Sequence, residues 1–107
     1  MVRHRVKITV VKRITPEHVF DGKPPVRANS ERYTVCGAFK DGDEFIVDKR
    51  VRCPEGFCSY AWKDIFSDVR VLSLGGDHEP WVDKPFMYSC CTDGIRPVVF
   101  KLEQLKD

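Results

Sequence analysis

One stretch of this chain carries helical periodicity long enough to cover a sheet, and it constrains everything around it. From 58 to 72 the positions Cys58, Trp62, Ile65, Val69 and Leu72 recur at spacings of three and four, so they share one face of an α-helix. Lys63, Asp64, Ser67, Asp68 and Arg70 take the opposite, solvent side. The segment Cys53-Pro54-Glu55-Gly56-Phe57 is rich in breakers and leads into this helix, and Gly75-Gly76 supplies its stop. A helix with one apolar stripe must bury it against another element, and the remaining signals are those of strands.

Residues 5–13 alternate, with Val6, Ile8 and Val10 on one parity and Arg5, Lys7 and Thr9 on the other. Period two with β-branched residues predicts a strand with one face in the core. Thr15-Pro16-Glu17 reads as an N-cap followed by proline at the first helical position, predicting a short helix to about Phe20. Residues 21–30 are rich in Gly, Pro and Asn and read as a loop. Asp41-Gly42-Asp43 is a turn that wants the positive φ of Gly42 and feeds a second strand ending near Val47. Phe86 to Cys91 and Pro97 to Leu105 read as a terminal hairpin around Thr92-Asp93-Gly94. The expected fold is α+β: residues 1–107 form a single domain, with a small, mostly antiparallel sheet. One main helix (about 58–72) packs on a face, and a β-hairpin closes the C-terminal end.

No apolar run reaches the roughly 20 residues that span a bilayer. The N-terminus has charge but no apolar core or small-residue cleavage site, so no signal peptide is expected. A cytoplasmic, reducing setting follows, in which the five cysteines are thiols or metal ligands; the odd number agrees. Residues 1–13 hold Arg3, Arg5, Lys7, Lys12 and Arg13 with no acid, while the rest of the chain has 13 basic side chains (18 less these five) against 16 acidic. The basic face of the first strand could meet phosphates as an interaction or nucleic-acid module. Nothing aromatic interleaves with it in sequence, however, so a solvated face is the expectation and nucleic acid is disfavoured as a partner.

The cysteines are the most unusual chemistry. Cys58 opens the main helix, where unpaired N–H groups and the positive end of the dipole favour an anion. A thiolate there would serve a nucleophile, a redox group or a metal ligand; equally, Cys58 continues the stripe of Trp62 and Ile65 as a small buried hydrophobe. Cys53 lies five residues earlier, across a Pro-Glu-Gly turn. Successive side chains of a strand point to opposite faces, so only one of Cys90 and Cys91 can face the helix. A zinc or iron site drawn from Cys36, Cys53, Cys58, Cys90 and Cys91, with His78 in reserve, is one reading. Against it, no C-x-x-C knuckle is present. Asp93, Gly94 and Arg96 form a turn whose N–H groups and guanidinium could hold a carboxylate or phosphate; the plainer reading is that Asp93 bonds its own backbone. Trp62 is core packing or part of a ligand site.

The motifs Pro54-Glu55-Gly56-Phe57-Cys58, Ala61-Trp62, Gly75-Gly76 and Cys90-Cys91-Thr92-Asp93-Gly94-Ile95-Arg96-Pro97-Val98 resemble a family of small uncharacterised bacterial and archaeal proteins found largely in anaerobes. The resemblance spans nearly all the chain after the variable loop at 21–35. It implies that Cys58, Trp62, Asp93, Gly94, Arg96 and Pro97 match the family pattern, and that oxygen-sensitive thiol or metal chemistry would suit the setting. It brings no assigned function.

Three functions are therefore carried forward. One is a thiol-based metal-binding or accessory protein, as a homodimer or beside a larger enzyme. Another is a small enzyme using Cys58 on an anionic substrate anchored by Arg96, for which no general base is evident. The last is the interaction module on the basic first strand.

Overall fold

The computed structural model describes residues 2–106. Strand β1 (Val6–Arg13) is followed by α1 (Pro16–Val19), β2 (Glu44–Val47), α2 (Ser59–Ser73), β3 (Phe86–Cys90) and β4 (Val98–Gln104). The strands form one sheet in the order β2-β1-β4-β3 with every neighbouring pair antiparallel. The fold is the expected α+β arrangement, including the terminal β3–β4 hairpin.

Alternation in β1 sorts as its sequence requires: Val6, Ile8 and Val10 are buried. On β4, Val98, Phe100 and Leu102 join them, and Val47 and Met87 extend the same layer onto the edge strands. Helix α2 lies on this face, contributing Ala61, Ile65, Val69 and Leu72 to the core. At one end of the core four phenylalanines stack: Phe39 lies 5.0–5.9 Å from Phe45, Phe57 and Phe100, most of these contacts edge-to-face or tilted as ring quadrupoles prefer.

The buried line of α2 differs from the expected stripe by one position. Ala61 sits in the core and Trp62 only half-buried at its margin, packed against Phe57 and Phe66 at 6.3 and 5.6 Å between ring centroids. The small side chain at 61 lets the helix approach the sheet, and the indole is too large for that seat and turns to the flank.

Local signals fix the element ends. Thr15 caps α1 by accepting from His18 N–H at 3.1 Å. After α2, Gly75 (φ 87°) donates to Leu72 O and Gly76 to Val71 O, the paired bonds of a Schellman stop. Gly42 adopts the predicted positive φ, 89°. The hairpin connection is longer than a two-residue turn: Cys91 N–H bonds Val98 O, and residues 92–97 loop out beyond that pair. Among the described residues no helix is long and apolar enough to cross a membrane.

Candidate functional site

The seven-residue connection between β3 and β4 is held by two carboxylates. Asp93 accepts from the N–H groups of Ile95 (2.9 Å) and Arg96 (3.1 Å), the self-bonded turn expected for this motif, and its other oxygen faces Arg96 Nε at 3.5 Å. Burial alone would push the Asp93 carboxyl up; the two N–H donors and the Arg96 guanidinium outweigh it and hold the group below the ordinary carboxylate range. Asp64 ties this loop to α2. It accepts from Thr92 N–H at 2.7 Å and Thr92 Oγ1 at 2.9 Å, while Lys63 Nζ lies 2.8 Å from its second oxygen. The Lys63 ammonium lowers the Asp64 carboxyl despite its burial, helped by Thr92. Sequence periodicity assigned Asp64 to the solvent side, yet its side chain is only 7% exposed because the 91–97 loop folds over it.

These contacts close one side of a cavity of about 420 Å³. Its walls come from three distant segments: Cys36 to Phe39, the first turns of α2 with Cys58, Ala61 and Asp64, and the 91–98 connection with Cys91, Asp93 and Arg96. Cys58 is the N-cap residue of α2, and its side chain makes no capping bond. Cys91 Sγ accepts from Val98 N–H at 3.3 Å, which orients the sulfur. Arg96 Nη1 reaches Thr34 O at 3.4 Å; with the Asp93 contact this uses two of its five N–H donors. None of His4, His18 and His78 lines the cavity.

The five cysteines do not converge as one set. Cys36, Cys58 and Cys91 share the cavity, whereas Cys53 lines a separate cleft with Glu44, Asp48 and Arg52. Cys53 still senses Cys58: burial first, then the neighbouring sulfur, raises the Cys53 thiol. Cys90 pairs with Val99 and is exposed, on the sheet face opposite α2. Strand alternation therefore selects Cys91 as the member of the pair turned toward the helix. All five are free, and among the described residues no three His, Cys, Asp or Glu side chains are gathered as donors for a metal ion. The arrangement does not fit the zinc or iron site read from the five cysteines, because the fold distributes them over three surfaces. Trp62 and Gly94 also lie outside the cavity lining. Sequence reasoning missed Phe39, Tyr60 and Asp64 in these walls, since no motif joins them, and it placed Thr92 in the turn motif without giving it a role.

Compared with known proteins, the chain matches no family model, no curated protein and no solved structure.

Proposed function

We propose that this is a small thiol-based binding protein of a reducing compartment such as the cytoplasm, whose site is the cavity shared by Cys36, Cys58 and Cys91. The observation that carries this reading is their convergence: three cysteines from three separate segments line one concavity. The volume is within the range of small-molecule sites. Phe39, Ala61 and Val98 supply an apolar wall, and Arg96 supplies N–H donors at the rim. A small, partly apolar molecule fits this lining, its polar end meeting the remaining N–H donors of Arg96 beside the paired carboxylates of Asp64 and Asp93.

Catalysis by Cys58 receives less support. A thiol nucleophile needs a base to take its proton. The carboxylates at hand, Asp64 and Asp93, are both held below the usual range and are poor proton acceptors. A metal centre receives less still, for the donor arrangement described above.

Timed N-ethylmaleimide labelling with peptide-resolved mass spectrometry tests the site. Exposed Cys90 reacts first, Cys53 more slowly because its thiol is raised, and both independently of the other three. A first adduct at Cys36, Cys58 or Cys91 slows the other two at least about tenfold, because one adduct fills much of the shared space. A small-molecule cell extract protects those three and spares Cys53 and Cys90 from protection. Independent labelling of all five, or protection spread evenly, would sink the reading.

A further inference from the structure

The outer face of the sheet, opposite α2, is chemically unlike the rest of the molecule. Alternation places Lys7 and Thr9 of β1, Ile46 of β2, Lys101 of β4, and Phe86 and Tyr88 of β3 on this side. The cross-strand rows are Ile46–Lys7–Glu103–Phe86 and Glu44–Thr9–Lys101–Tyr88. Tyr88 is 47% exposed and Trp81, in the loop before β3, 79% exposed. Together with Val82, Asp83 and Phe86 they line an open cleft of about 410 Å³, and Lys101 Nζ stands 4.3 Å from the Phe86 ring centroid.

The same end of the sheet gathers cations that are scattered in sequence. Val6 pairs with Val47 on one side and Gln104 on the other, Gln104 N–H bonds Pro85 O, and Arg3 Nη1 reaches Lys49 O at 3.3 Å. Beyond that row lie the exposed side chains of Arg3, Lys49, Arg50 and Lys106. Of the acids nearby, Asp48 is matched by Arg52, Glu79 by Lys84, and Glu44 and Glu103 by Lys7, while Asp83 lies exposed in the aromatic cleft. In a chain whose net charge is only +2, this is a concentrated positive margin beside an exposed aromatic cluster.

We infer that this face binds a single-stranded polynucleotide, with bases stacked on Trp81 and Tyr88 and phosphates following the cationic margin toward Lys49 and Arg50. Single-strand sites combine these two elements, a backbone-tracking basic groove and aromatic platforms that accept any base. Crossing four strands covers about 15 Å, room for a few nucleotides. Charge decides between occupants: a second copy of this chain would set cationic margin against cationic margin, whereas phosphates neutralise it. The surface is separate from the thiol cavity, and the inference stands independently of that site.

The test is fluorescence anisotropy of fluorescein-labelled dT12 and rU12 at 20–200 mM NaCl with the full chain. Saturable binding to at least one of them is expected, with log K falling against log salt at a slope of about −2 to −3, as three or four phosphate contacts give. Trp81→Ala and Tyr88→Ala each weaken binding roughly 5- to 150-fold. The Lys49→Glu/Arg50→Glu pair weakens all sequences alike and flattens the slope by about one or more. Cys58→Ser leaves binding unchanged. Both aromatic positions are exposed, so the variants keep their fold, which circular dichroism checks. Absence of binding at 20 mM NaCl overturns the inference, as does equal affinity of the aromatic variants or tighter binding to duplex. A homodimer that Trp81→Ala dissociates in sedimentation would assign the face to self-association instead.

Discussion

Asp64→Asn tests the link between the main helix and the loop that closes the cavity. The native carboxylate accepts two bonds from Thr92 at 2.7 and 2.9 Å and one from Lys63 at 2.8 Å, with its side chain 7% exposed. Hydrogen bonds to charged groups contribute about 1.5–3 kcal/mol each when shielded. Lys63 is largely exposed, so its pairing adds little. Thr92 is also exposed and can recover water when its partner is lost. Truncation to Ala should then cost about 2–3 kcal/mol, and the Asn variant, which keeps one acceptor, about 1 kcal/mol. The pH dependence has a definite sign. The Asp64 carboxyl is lowered on folding, so its contribution is complete above the ordinary value of 3.8 and is lost as pH falls through the folded value beneath that. Urea denaturation of parent and Asn variant should show a constant difference from pH 7 to pH 4 that closes only at lower pH, because a protonated Asp64 resembles Asn. Thr92→Val should show coupling with Asp64→Ala of about 1–2 kcal/mol in a double-mutant cycle. A difference independent of pH, or additive losses at the two positions, would refute the assignment of Asp64 as the tie.

Ile65→Ala, at a fully buried seat, should cost about 3–4 kcal/mol, and Trp62→Ala, which empties a half-buried flank, only about 2 kcal/mol; chemical denaturation ranks the two, and the reverse order would restore Trp62 to the core. Gly75→Ala meets nothing closer than His4 Nε2 at 3.9 Å, so its loss in melting should reflect the positive φ alone, about 1 kcal/mol. Gly76→Ala should lose more, because a Cβ there falls 3.0 Å from the Val71 carbonyl oxygen and 2.9 Å from its Cγ1. Thiol titration of anaerobically handled, denatured protein should find five free cysteines, and a reproducible count of three would require a disulfide the structure does not contain.

The local elements were legible because their causes are local. Alternation in residues 6–10, the Thr15-Pro16 cap, the positive φ at Gly42, the Gly75-Gly76 stop and the Asp93 turn each depend on neighbours within a few residues, and each is found where the sequence puts it. The same holds for the choice between Cys90 and Cys91, which strand alternation limits to one. Tertiary packing decided the rest. Periodicity cannot separate the centre of an apolar stripe from its edge, so only the helix–sheet approach shows that Ala61 takes the core and Trp62 the flank. Nor can it show that Asp64, on the polar side of the helix, is covered by a loop 28 residues away. The cavity unites Cys36, Cys58 and Cys91 because sheet order brings β4 between β1 and β3 and carries the loops before β2 and after β3 to one end of α2. On the opposite face, pairing through β4 sets the aromatic side chains of residues 81–88 and the basic residues of 3–7 at the same end of one sheet, two strands apart, a juxtaposition of segments about 80 positions apart that no linear pattern records.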